Sequence, residues 1–162
     1  MSNVQEMLIK ILKRNTFFKD IPDDKLSNFA DLFTLWIASK NQAIILEWRF
    51  PEEIYIAKSW KFIAKKANWL NSIVLWEIKE WEVFWEMSYF YRKPAVASVI
   101  CKSDSCSYWK IKIRDFDNFL KANPEIATKI TDELAKREKQ NKEKLWWNYR
   151  APKKDDDIEI NL

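Results

Sequence analysis

The chain has 162 residues but no glycine, no histidine and only two cysteines. Average composition carries about 7% glycine, or roughly eleven residues at this length. The missing histidine excludes Ser-His-Asp and Cys-His catalysis and any histidine metal site. The missing glycine, taken literally, excludes a P-loop and a Gly-rich dinucleotide-binding turn. Cys101 and Cys106 alone cannot supply the four ligands of a structural zinc. No apolar run approaches the ~20 residues of a membrane span. Met1 to Lys10 lacks the basic-then-apolar pattern of a secretion signal. These absences predict a cytoplasmic, non-catalytic protein with free thiols. Cys106 reads as a small core residue. A redox pair with Cys101 across the tip Lys102-Ser103-Asp104-Ser105 is the alternative.

What is present is equally uneven. Ten tryptophans accompany a hydrophobic content of 48% and a charged content of 32%, which suit one folded domain. The net charge of +4 is that of an ordinary solvated surface. Val4 to Arg14 has helical spacing, with Val4, Met7, Leu8 and Leu12 on one face. Ile21-Pro22-Asp23-Asp24 starts a second helix, since proline and early acids suit a first turn; Leu26, Phe29, Ala30 and Phe33 mark its buried face. Short strands follow over 35–39, 43–47, 54–58, 61–67, 72–78, 96–102 and 105–113, the pattern of a sandwich or barrel. Helix returns over 115–121 and again from Asn123-Pro124-Glu125, with Asn123 as cap and Ile126, Ile130 and Leu134 as an apolar stripe. That stripe either buries against the barrel or forms a dimer seam. Lys136 to Lys144 is wholly polar and reads as a solvated extension.

The tryptophans fall where turns are needed. Asn68-Trp69 lies between two strands, where Asn-Gly is the natural pair because a tight hairpin wants positive φ. Trp60 follows Ser59 in another turn, Trp48 and Trp81 close strands, and Trp146-Trp147 end the long helix, where glycine is the favoured stop. One reading unites both anomalies: tryptophan stands at glycine positions. A gene that decodes UGA as glycine, translated with a table that decodes UGA as tryptophan, carries Trp at each such codon. Trp36 and Trp109, inside strands, fit this UGA recoding least. A protein truly rich in tryptophan is the alternative.

With glycine in mind, Ile54-Tyr55-Ile56-Ala57-Lys58-Ser59-Trp60 resembles a strand ending in a turn glycine. The run Phe84-Trp85-Glu86-Met87-Ser88 resembles Phe-Gly-Glu followed by an aliphatic and a small residue, and Pro94-Ala95-Val96-Ala97-Ser98-Val99 resembles Pro-Arg-x-Ala-Ser/Thr-Val. Together they resemble the phosphate-binding cassette of the cyclic nucleotide-binding domain family, to which the catabolite activator protein and the regulatory subunit of protein kinase A belong. The resemblance extends over about Val4 to Leu145. It implies a mainly β fold with flanking helices: a β-roll (jelly-roll, double-stranded β-helix) barrel over about 34–113, N-terminal helices before it and a long C-terminal helix within 114–147. Together these make one domain over 1–150, followed by a disordered tail over 151–162.

The resemblance also implies a site. Helix amides in the cassette hold a phosphate. A glycine at position 85 lets backbone approach ligand. Glu86 accepts from a ribose hydroxyl, Ser88 lies beside the phosphate, and Ser98 lies near base or phosphate. Phe84, Trp85, Glu86, Met87, Ser88, Ala95, Val96, Ala97 and Ser98 are the candidate ligand-binding residues. The ligand implied is a cyclic nucleotide, cAMP or cGMP, with no other cofactor and no metal. Ala95 departs from the pattern: it stands where binding members carry the arginine that pairs with the cyclic phosphate, and alanine cannot supply that charge-assisted contact. The expected function is a regulatory domain that senses a small nucleotide or related ligand and relays binding through its C-terminal helix. The alternative is a ligand-free interaction or dimerisation module using helix 124–147. Too few residues follow that helix for a three-helix DNA reader.

Overall fold

The computed structural model describes residues 2–59, 61–67, 70–84 and 92–150, except for the side chains of 76, 141 and 143–150. Among them are four helices, α1 (Asn3–Arg14), α2 (Asp23–Ala30), α3 (Ile113–Ala122) and α4 (Pro124–Arg150). The strands are β1 (Thr34–Ser39), β2 (Ala43–Ile45), β3 (Glu53–Ala57), β4 (Phe62–Ala67), β5 (Ser72–Ile78), β6 (Val83–Phe84), β7 (Ser98–Cys101) and β8 (Ser105–Lys112). Two four-stranded antiparallel sheets form, in the orders β1-β8-β3-β6 and β2-β7-β4-β5. This is the jelly-roll arrangement expected from the sequence.

The helices start where local chemistry dictates. The Ser2 side chain caps α1 by accepting from the Gln5 amide. Pro22 precedes α2, whose first turn carries Asp23 and Asp24 against the positive helix end. Tertiary packing moved the buried face of α1: Leu8, Ile11 and Leu12 enter the core while Val4 and Met7 stay exposed. At Asn123 the side-chain amide donates back to the Phe119 carbonyl at 2.9 Å, tying it to the end of α3.

Two cores result. One face of the first sheet supplies Ile54, Ile56, Trp109 and Ile111 to a core shared with the helices. There Phe29 packs on Phe18, Phe33, Phe116 and Phe119 at ring separations of 4.4–6.2 Å. Ile126, Ile130 and Leu134 of α4 are buried in the same core. The apolar stripe of α4 is thus occupied within its own chain and is not free to form a dimer seam. The opposite face of the sheet points between the two sheets and forms the second core, described below.

The strands β7 and β8, adjacent in sequence, do not pair. β7 lies between β2 and β4, whereas β8 lies between β1 and β3. Residues 102–104 are therefore a corner between sheets, where a paired hairpin tip was expected. The corner brings the Cα atoms of Cys101 and Cys106 to 5.8 Å, within bridging range, and the two are disulfide-bonded and fully buried. The expectation of free thiols is corrected accordingly; Cys106 is nonetheless a core residue.

One turn geometry occurs three times. In each case a residue with positive φ donates its N–H to a partner strand, and the next residue accepts from that same partner. Asn41 and Gln42 flank Cys101 in this way (2.8 and 3.1 Å), Trp48 and Arg49 flank Ala95 (2.8 and 2.9 Å), and Trp81 and Glu82 flank Ala57 (2.6 and 3.0 Å). The φ angles of Asn41, Trp48 and Trp81 are 65°, 69° and 70°. This is the bulge whose first position is normally a left-handed glycine.

Candidate functional site

The inner core is assembled by strand alternation. Side chains two apart along a strand share a face, so Tyr55 and Ala57 of β3 point inward with Cys106 and Tyr108 of β8, and Phe84 joins them from β6. From the other sheet come Phe62, Ala64, Ile78 and Val99. The rings form a continuous wall. Tyr55 stacks on Phe84 with centroids 5.1 Å apart and 13° between planes. Tyr108 lies 5.8 Å from Tyr55 and 6.0 Å from Phe62, which is 5.9 Å from Phe84.

The expected cassette begins and ends on this wall. Its entry is Phe84, 3% exposed and paired with Tyr55. Its exit is held by the bulge at Trp48 and Arg49, which grips both the N–H and the carbonyl of Ala95. Ala95 and Ala97 face inward and are buried, while Val96 faces outward. Ser98 is partly buried, and its Oγ accepts from the Glu47 amide at 2.9 Å, so the hydroxyl anchors the connection after β2. Glu47 in turn accepts from the Ala67 amide. The fold therefore gathers Phe84, Ala95 and Ala97 at one inner surface and turns Val96 away. Trp85, Glu86, Met87 and Ser88 lie outside the described residues, as do Trp60, Asn68, Trp69 and the tail over 151–162.

The sequence reading missed part of the wall. Tyr55, Phe62 and Tyr108 were placed in strands but not in the site, although alternation along β3 and β8 was the signal that could have found them. Beside them, Lys110 pairs with Glu53 at 3.0 Å and its ammonium lies 3.9 Å from the Trp36 ring centroid. Burial, followed by the Glu53 carboxylate, holds the Tyr55 hydroxyl well above its ordinary 10.0, and the same causes in the same order raise Tyr108.

That shift has a signed consequence. The unfolded chain releases these phenolic protons near pH 10, while the folded chain keeps them. Their contribution to stability is complete below about pH 10 and is lost as pH rises through the folded-state values. The melting temperature is expected to fall above about pH 10, and less steeply in the double variant Tyr55→Phe/Tyr108→Phe. A thermal series read alongside tyrosinate absorbance checks this. Equal slopes in parent and variant would contradict it.

A cleft of about 630 Å³ lies on the far side of the cassette entry, between α1, the segment 77–84 and α4. Asn15 donates to the Trp81 carbonyl at 3.0 Å, and the Arg137 guanidinium lies 5.4 Å from the Phe17 ring. The helix α4 thus shares a cleft with the strand that leads into the cassette. Among the described residues no cluster of three or more His, Cys, Asp or Glu could hold a metal ion, and no helix is long and apolar enough to cross a membrane.

No protein-family profile and no curated protein matches the chain. Solved structures do. A co-crystal of the protein kinase A regulatory domain of Toxoplasma gondii with cAMP matches at 16% identity and a TM-score of 0.71, over 84% of this chain and 50% of that one. The sensor domain of the transcriptional regulator DNR from Pseudomonas aeruginosa matches at 15% identity and a TM-score of 0.74, over 88% of this chain and 95% of that one. The regulatory subunit of a cAMP-independent protein kinase A from Trypanosoma cruzi, bound to guanosine, matches at 17% identity and a TM-score of 0.65, over 74% of this chain and 41% of that one. The chain has the cyclic nucleotide-binding domain fold. It spans about half or less of the two kinase regulatory chains.

Proposed function

We propose that the chain is a non-catalytic regulatory domain that senses a small nucleotide or related ligand between its sheets and relays binding through α4. The observation that carries this reading is the inner aromatic wall from Tyr108 through Tyr55 to Phe84, which ends at the cassette entry in a fold whose solved relatives include complexes with cAMP and with guanosine. The cassette, with Glu86 and Ser88, would contact the ligand, and Trp85 is taken as a UGA-decoded glycine position. The cleft shared by α4 and the segment 77–84 supplies the route for the relay.

Ala95 bears on which ligand. A cyclic phosphate would meet a buried methyl where a guanidinium is needed, so an uncharged purine nucleoside joins cAMP and cGMP as a candidate ligand. The second reading, a ligand-free interaction module, is favoured by the close stack of Tyr55 on Phe84, which already fills part of the inner surface. Under that reading a homodimer or protein contact would use α4 beyond its buried stripe.

Calorimetric and thermal-shift titration with cAMP, cGMP, cyclic dinucleotides and guanosine separates the two. Binding at a hundred-fold excess over Kd stabilises by about 2.7 kcal/mol, a shift of roughly 5–11 °C at this chain length. No heat and no shift with any of the four would favour the ligand-free module.

A further inference from the structure

The geometry points to glycine as the natural residue at positions 48 and 81, and a chain with ten tryptophans and no glycine makes UGA the codon at both. This goes beyond the ligand-sensing reading and stands whether or not a ligand binds. Three bulges share one geometry. Their hydrogen-bond patterns are the same, and so is the left-handed backbone at their first position. In each the preceding turn is closed by the same bond: Gln42 to Ser39, Arg49 to Leu46 and Glu82 to Lys79. A Cβ at such a position crowds the following carbonyl; glycine avoids this, and asparagine tolerates it best among the rest.

The bulge at Asn41 therefore holds one of the two residue types its geometry accepts. The other two hold tryptophan, a bulky residue for which the left-handed region is a genuine outlier. The Trp48 indole offers little to offset the strain, whereas the Trp81 indole is partly buried and packs on the helical core. Trp48 is 69% exposed. Trp81 has a buried indole Nε1 with no hydrogen-bond partner among the described residues, although the Arg14 guanidinium lies 6.0 Å from its ring. The two positions also bracket the cassette: Trp81 precedes β6, which feeds its entry, and Trp48 clamps Ala95 at its exit. Bulges concentrate at such sites because they re-aim the strand that carries the ligand contacts.

The test compares the full chain as written with Trp48→Gly, Trp81→Gly, Trp48→Ala and Trp81→Ala. Trp48→Gly is expected to raise the melting temperature by about 2–4 °C, and Trp48→Ala less, because alanine keeps the Cβ that causes the strain. At position 81, where both truncations lose the same packing on the core, Trp81→Gly is expected to melt about 2–4 °C above Trp81→Ala. A Trp48→Gly variant that gains nothing, or an alanine variant as stable as its glycine counterpart, would overturn the assignment. A second readout needs no folded variant: the gene should carry UGA at codons 48 and 81, and peptides of the protein from its source should have the masses of glycine there. UGG at either codon, or tryptophan in either peptide, defeats the inference.

Discussion

Ala95→Arg is expected to raise affinity for cAMP ten-fold to more than a hundred-fold. A hydrogen bond to a charged group is worth roughly 1.5–3 kcal/mol, and every 1.4 kcal/mol is about ten-fold in affinity. The backbone is already set for the new side chain. Both polar groups of Ala95 are held, its N–H by Arg49 at 2.9 Å and its carbonyl by Trp48 at 2.8 Å. The residue is 1% exposed and belongs to the inner core between the sheets, so on the proposed reading a guanidinium grown from its Cβ would enter the space where a cyclic phosphate binds. Val96→Arg is the control, because Val96 is 49% exposed and faces away; it should leave affinity unchanged. Guanosine, which has no phosphate, should gain little from Ala95→Arg. Isothermal titration at fixed salt reads all of these. A folded Ala95→Arg variant whose cAMP affinity matches the parent's would remove the cassette from the account.

Phe29→Ala is expected to be the most destabilising single change considered. Phe29 is fully buried at the meeting of α2 and α3, with rings of Phe18, Phe33, Phe116 and Phe119 around it. Truncating a buried phenylalanine costs about 3–5 kcal/mol, from lost transfer energy and an unfilled cavity. A typical domain has only ~5–15 kcal/mol to lose. At this chain length the melting temperature should drop by roughly 6–20 °C. Because Ile126, Ile130 and Leu134 share the same core, α4 should also lose hydrogen-exchange protection, which connects core stability to the proposed relay. Phe50→Ala, at a residue 64% exposed, should change stability by no more than about 0.5 kcal/mol. Similar losses from both substitutions would refute this account of the core.

Much of the architecture was legible because its causes are local. Pro22 with two following acids, the spacing of Leu26, Phe29, Ala30 and Phe33, and Pro124 ahead of Ile126, Ile130 and Leu134 each announce a helix through neighbours a few residues away. Seven of the eight strands showed in runs of β-branched and aromatic residues. The exception, β6, is only Val83–Phe84, too short for any periodicity to register. The motifs beginning at Phe84 and ending at Val99 carried the resemblance, and their two ends do meet one inner surface.

The missing glycine likewise belongs to the sequence: no structure was needed to see that a chain of turns without glycine is anomalous. Of the tryptophans expected at turns, Trp48 and Trp81 stand in turns, whereas Trp146 and Trp147 lie within α4, which continues to Arg150. What only the tertiary structure decided is the sign of a backbone angle and the choice of a partner. Positive φ at Trp48 and Trp81 follows from strands that must bulge to keep their hydrogen bonds with Ala95 and Ala57, residues 47 and 24 positions away. The bridge between Cys101 and Cys106 exists because neighbouring strands join opposite sheets. The stripe of α4 turned inward because the first sheet offered an apolar face to cover. Each choice depends on how elements from different parts of the chain pack, so local pattern offered the alternatives without deciding between them.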